Sequence, residues 1–252
     1  MPIQFPSEGR EGRTEAFWLQ VARDHVKGHD RVHKFGAVPS MSINTTGTIW
    51  DVNDTLYPWT ALDTPAVVNV ERNNASDNGL TITVQGLDEN YKVAEDTIEI
   101  TGADQVGTQL FRRVNRAFVT DGASTNVGNI DIEAGAAGGA TVARITAGLG
   151  QTLMAVYTVP ANYTAYILKG TMSAQSGADA TGNMFVRFFG QDTFRIAHSF
   201  EVVGNGGAYV YEFAIANPVT EKSDIDIRAS VRSNNGRYTA AWDMVLIKNE
   251  AS

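Results

Sequence analysis

His25, His29 and His33, three of the chain's four histidines, follow one another at four-residue steps in HVKGHDRVH. On an unbroken helix that spacing stacks imidazoles on one face, where an i, i+4 pair can ligate a transition metal. The surrounding residues oppose a metal. The pattern is not His-Glu-x-x-His, no carboxylate takes the general-base place, and Gly28, a helix-ending residue type, stands between the first histidine and the second. The segment is read as metal-free, with His29 and His33 on an extended arm that hydrogen-bonds a neighbouring surface.

Other candidates are equally short of chemistry. Asp51, Asn53 and Thr55 offer oxygen at alternate positions, as a calcium loop does, but the later glycine and bidentate glutamate are missing, which favours a solvated turn. Arg112, Arg113 and Arg116 lie between aromatics and read as salt bridges between chains or as charges on a sheet edge. The glycine-rich stretch from Glu133 to Ala140 lacks the lysine of a phosphate-binding loop. Asp224 and Asp226 share one face of a strand. A glycan hydrolase needs paired carboxylates, but beside Arg228 these read as a solvated ladder. No Gly-x-Ser-x-Gly elbow occurs. The expectation is a non-enzymatic protein with no cofactor and no metal.

The elements that would position these groups are mostly strands. The one helix expected covers TEAFWLQVARDHVKG, with Thr14 as N-cap and Gly28 past its end, and places Trp18, Val21, Ala22 and His25 on one stripe. Beyond Pro39 the apolar period falls to two: Leu80, Ile82 and Val84; Ile98 and Ile100; Ile130 and Ile132. Later, Tyr209, Tyr211, Phe213 and Ile215 share a face, and Ile225, Ile227, Ala229 and Val231 alternate with Asp224, Asp226, Arg228 and Arg232. That last run is the clearest pattern of one face buried and one solvated. The fold class expected is all-β: two antiparallel β-sandwich domains, the second jelly-roll-like, preceded by a short helical N-terminal arm. The boundaries expected are 1–45 for helix and arm, 46–135 for the first domain and 141–252 for the second, with the small-residue stretch from Glu133 to Ala140 between domains.

Composition excludes several partners. A net charge of −8 over 252 residues is wrong for a phosphate-binding surface, so no nucleic acid is expected. No apolar run of about 18 residues exists, so no membrane span is expected, and the start lacks the apolar stretch of a signal peptide. Cysteine is absent, which removes disulfides and thiol catalysis.

The runs KGHDRVHKFGAV, TIWDVNDTLYPW, LTITVQGLDENYKVAEDTIEITG, RRVNRAFVTDG, TNVGNIDI, YTVPANYTAYI and EKSDIDIRA resemble virion structural proteins of tailed bacteriophages, from about Val26 to Ile227. The resemblance implies an assembly role in the virion: a capsid cement or decoration protein, or a neck or tail accessory component. The partners implied are the major capsid protein or another virion protein, together with further copies of the chain as a homotrimer. With the arm reading, it makes Trp18, His29, His33 and Phe35 the expected docking residues. The alternative is a carbohydrate-binding sandwich, with Trp59, Tyr163, Tyr166 and Trp242 as aromatics around a groove.

Overall fold

A computed structural model describes residues 15–122, 125–203 and 207–250. Two separated lengths of chain close one sandwich. The first holds a short helix, α1 (Phe17–Ala22), then β1 (His29–Met41) and β2 (Thr46–Thr48). An insert follows with β3 (Val68–Arg72), β4 (Thr81–Leu87), β5 (Val93–Glu99), β6 (Asp104–Val106), β7 (Arg113–Asp121), β8 (Ile130–Ala134) and β9 (Thr141–Ile145). The chain returns as β10 (Val156–Thr158), β11 (Tyr163–Ala174), β12 (Asp179–Arg187), β13 (Arg195–Val202), β14 (Ala208–Val219), β15 (Asp224–Ser233) and β16 (Gly236–Lys248).

One sheet of the sandwich runs β1-β16-β11-β14 and the facing sheet runs β10-β15-β12-β13, with β2 also on β15. All pairings are antiparallel, and β2 and β10 follow each other along the same side of β15. Eight strands wound between two sheets in this order form a jelly roll. Its core gathers Val38, Ile167, Met184, Ile225, Ile227, Tyr238 and Trp242, all buried. Alternation on β12 and β16 supplies this core: every second residue of Asp179–Arg187 is buried.

The insert is a smaller sandwich of sheets β6-β3-β8-β9 and β5-β4-β7 around Val70, Ile82, Val84, Phe111, Ile130 and Ile132. Trp50, Tyr57 and Trp59 add a row of edge-to-face rings to the same core, with centroids 5.2 and 4.7 Å apart. The chain leaves the jelly roll near Ile49 and re-enters it near Ala155, and both passages press on Gly36 of β1. A Cβ there would lie 2.4 Å from the Ile49 carbonyl oxygen and 2.4 Å from the Ala155 nitrogen. Only glycine admits that approach.

All-β is the architecture, with antiparallel sheets and a six-residue helix. Several expectations about its parts need correction. The helix is shorter than its stripe: Asp24 takes φ +56° and Gly28 φ +74°, so the chain turns twice before His29, which already opens β1. Thr14 lies outside the described residues. Residues 29–41, expected as arm, pair with β16 over almost their whole length, from His29↔Ile247 to Val38↔Tyr238, as an integral edge strand. The stretch from Glu133 to Ala140 is not a domain boundary; it is the hairpin turn of β8 and β9, closed by the Ala134 N–H donating to the Ala140 carbonyl. The jelly roll is therefore discontinuous in sequence.

Candidate functional site

Strand β15 carries the joint between the two units. The first part of its outer face, expected in solvent, is covered by the insert, which buries Asp224 and Asp226, while Arg232 farther along is exposed as expected. Asp224 accepts from Arg113 Nε of the insert at 3.1 Å, from Arg187 at 2.6 Å and from the Thr158 hydroxyl at 2.6 Å. Asp226 accepts from the Trp59 indole at 3.0 Å, Arg228 Nε at 2.8 Å and the Thr48 hydroxyl at 2.9 Å. The guanidinium groups of Arg187 and Arg228 also stack on Phe194. Burial raises the Asp226 carboxyl above its usual range, against the pull of Arg228, Trp59 and Thr48. Every oxygen of the pair accepts a bond, and the two carboxylates lock the units together. Arg113, expected on a surface, is the cation at the centre of this lock.

Beside the joint, a groove of about 640 Å³ opens between β1 and the insert. That is within the roughly 300–1,000 Å³ of ligand clefts. One wall is the β1 edge from Asp30 to Phe35; the other includes Gln85, Asn115, Arg116 and Tyr157. Lys34 is buried and its ammonium donates to the Asn115 carbonyl. Burial, with the neighbouring charge of Arg116, pulls the Lys34 amine down to about 7. Arg116 donates to Gln151 at 2.8 Å and lies over the Phe118 ring. Arg31 is exposed and pairs with nothing among the described residues. At the neck of the insert, burial raises the Asp51 carboxyl to about 7 although Thr146 donates to it at 2.9 Å.

The opposite side of the jelly roll, between edge strands β13 and β14, has no such cover among the described residues. His198, Phe200, Tyr209, Tyr211 and Phe213 fill its mouth as a ring ladder. Phe200 and Tyr209 stack at 5.1 Å, and His198 lies 4.3 Å from Tyr211. Burial lowers the His198 imidazole, whose Nε2 has no hydrogen-bond partner among the described residues. Outside the ladder the edge strands expose Ile196, Val210 and Ile215. Pairing of β14 with β11 breaks between Glu212 and Asn217, and there Ile215 stands 87% exposed.

The expected docking residues separate into two places. Trp18 is 55% exposed on α1 and packs edge-on against Phe17, which in turn touches the His29 ring at 5.8 Å. His33 and Phe35 form a second pair on β1, rings 5.6 Å apart, with His33 Nδ1 2.6 Å from Asp243 Oδ1. Four residues along a strand span about 13 Å, too far for His29 and His33 to share an ion. No group of three metal-ligating side chains converges among the described residues. In the DVNDT turn, Asn53 Oδ1 accepts from the Thr55 N–H at 2.9 Å, the bond of an Asx-turn. Two of the four aromatics considered for glycans, Trp59 and Trp242, are buried in different cores, which removes a shared groove. Lys34 and Arg31 were passed over in sequence although they flank His33. A lysine amid alternating strand residues was the available signal, but its burial depends on the insert.

No protein-family model matches the chain, and no curated protein matches it. Among solved structures, the chain is similar to infectious bursal disease virus of the Gx strain at a TM-score of 0.26 and 11% identity, over 87% of this chain and 71% of that one. The Gt strain of the virus gives a TM-score of 0.24 and 11% identity, over 88% and 73%. A mutant VP2 protein of the virus, in derived T=1 particles, gives 0.21 and 10%, over 89% and 75%. Superpositions this loose carry no functional argument, so the reading below stands on the chain's own residues. No described helix is long and apolar enough to cross a membrane.

Proposed function

We propose that this chain is a non-enzymatic structural protein of a bacteriophage virion, a cement or decoration protein that binds the major capsid protein and works as a homotrimer. The observation that carries the reading is the β13–β14 side, which no other described residue covers. An edge strand is ordinarily guarded by charge, proline or a covering element, because its open backbone and apolar side chains recruit other chains. Here Glu212 and Pro218 on β14 and Arg195 and Glu201 on β13 guard part of the edge, but a bulge lifts Ile215 into solvent, and Ile196 and Val210 are exposed on the same two edges. Such projecting aliphatic groups suit anchors that enter a partner's pockets. The sequence resemblance to phage virion proteins supports the same reading. The fold adds less, since jelly rolls host shells and lectins alike.

Two measurements test it. Light scattering on a sizing column should give about three times the 27.2 kDa protomer, and density at this chain's position should be visible on the capsid surface of purified particles. A monomer that does not co-sediment with particles overturns the proposal. The neck or tail alternative predicts density away from the shell.

A further inference from the structure

We propose that the groove between β1 and the insert is a docking site for an extended, carboxylate-rich peptide, which adds to the free edge of β1 as a further strand. The site lies across the jelly roll from the β13–β14 edge, so this goes beyond the assembly reading and does not depend on it.

Three observations converge. First, β1 is the edge of its sheet, and six consecutive residues from Asp30 to Phe35 line the groove. Their backbone makes no hydrogen bond to any neighbour other than β16 among the described residues. A row of open donors and acceptors along a cleft wall is what strand addition uses for affinity, while pockets for alternate side chains give selectivity. Second, the groove concentrates positive charge in a chain whose net charge is −8. Lys34 and Arg116 lie on it beside the unpaired Arg31, and His33 is already committed to Asp243. Asp30 is the one acidic residue lining it. Third, Lys34 is held in place from behind, its ammonium on the Asn115 carbonyl, with two remaining N–H donors. A carboxylate reaching Lys34 favours its protonated form, which the groove otherwise solvates poorly, and such bonds are the stronger kind. A free phosphate or acetate would satisfy the cations but leave the strand edge open, and the length of that edge favours a peptide.

The probe is a capped hexapeptide of alternating glutamate and threonine, titrated into the full chain at low ionic strength and followed by calorimetry and backbone amide shifts. Saturable binding is expected, with shifts on Asp30–Phe35. The glutamine counterpart should bind at least tenfold more weakly. Arg31→Glu should also weaken the acidic peptide at least tenfold, and because Arg31 is exposed and unpaired the variant should melt as the parent does. Inorganic phosphate at millimolar concentration should compete only partly. Equal binding of the two peptides, no binding at millimolar concentration, shifts elsewhere, or complete displacement by phosphate each overturns the proposal. Trimer formation and particle binding are read separately, so failure here leaves the assembly reading standing.

Discussion

A jelly roll has two open sides where its sheets do not join, and this chain treats them in opposite ways. On the side of β1 and β10, the insert packs against part of the opening, leaving the groove along Asp30–Phe35, and brings Arg113 onto Asp224 and Trp59 onto Asp226. On the side of β13 and β14 no described residue covers it, and rings fill the mouth between edge strands that expose Ile196, Val210 and Ile215. One side is closed by buried charge, the other by apolar surface facing water. The difference teaches where stability and association should reside. Buried paired charges are sensitive to loss of a partner, whereas exposed apolar residues contribute little until another chain arrives.

The largest effect should come from the closed side. Asp224→Ala leaves Arg113 and Arg187 facing each other without their shared carboxylate, which should cost about 3–5 kcal/mol in denaturant unfolding. If the loss were below about 1 kcal/mol, the insert would not be held by this joint.

Next in size is the pH response of Lys34. Its folded value, about 7, lies below the unfolded value of 10.5. The folded state therefore binds fewer protons between those values, and stability should rise from pH 7 to about 10.5. Lys34→Met should flatten that rise and stabilise the protein at pH 7, by at most about 5 kcal/mol. Asp51 has the opposite sign. Its folded value near 7 exceeds the unfolded 3.8, so its contribution is greatest below pH 4 and is lost on going to pH 7. Asp51→Asn should remove that decline. Thermal melts of the two variants across pH 4–10 separate the limbs.

On the open side, Ile215→Lys should change monomer stability by less than about 0.5 kcal/mol, since the residue is 87% exposed. It should nonetheless reduce the oligomer seen by light scattering. An unchanged oligomer would mean that this edge is not the contact. The smallest effect is expected at the former arm. Phe35→Ala should weaken particle co-sedimentation more than His29→Ala does, because the half-buried Phe35 contributes apolar area and His29 is held by Phe17.

Strand-level structure was legible where alternation met one buried face. Ile82 and Val84 mark β4, with Leu80 just before it, and Tyr209, Tyr211 and Phe213 share the ring ladder on β14, whereas Ile215, expected on the same face, leaves it at the bulge. The reading of β15 failed for a reason that alternation cannot detect. Ile225 and Ile227 point into the core as expected, but Asp224 and Asp226 point into a second buried layer, because the insert packs on that face. A polar face that meets a neighbouring domain's arginines has the same sequence pattern as one that meets water. His29 to Phe35 failed similarly. The run lies next to a helix and holds charged residues, and its partner β16 is more than 200 residues away in sequence.

The sequence alone determined that this chain would be β-rich, because residues two apart on a strand must face the same way and the apolar ones repeat at that period from residue 80 onward. It also determined that no thiol, phosphate loop or serine elbow was at hand. Tertiary structure decided everything that depends on which strands meet. It made β1 part of the jelly roll and turned a glycine-rich stretch into a hairpin. It buried Lys34 beside Arg116 and left Ile215 bare. Those outcomes follow from long-range pairing and from one sandwich inserted into another, and the local order of residues does not encode either contact.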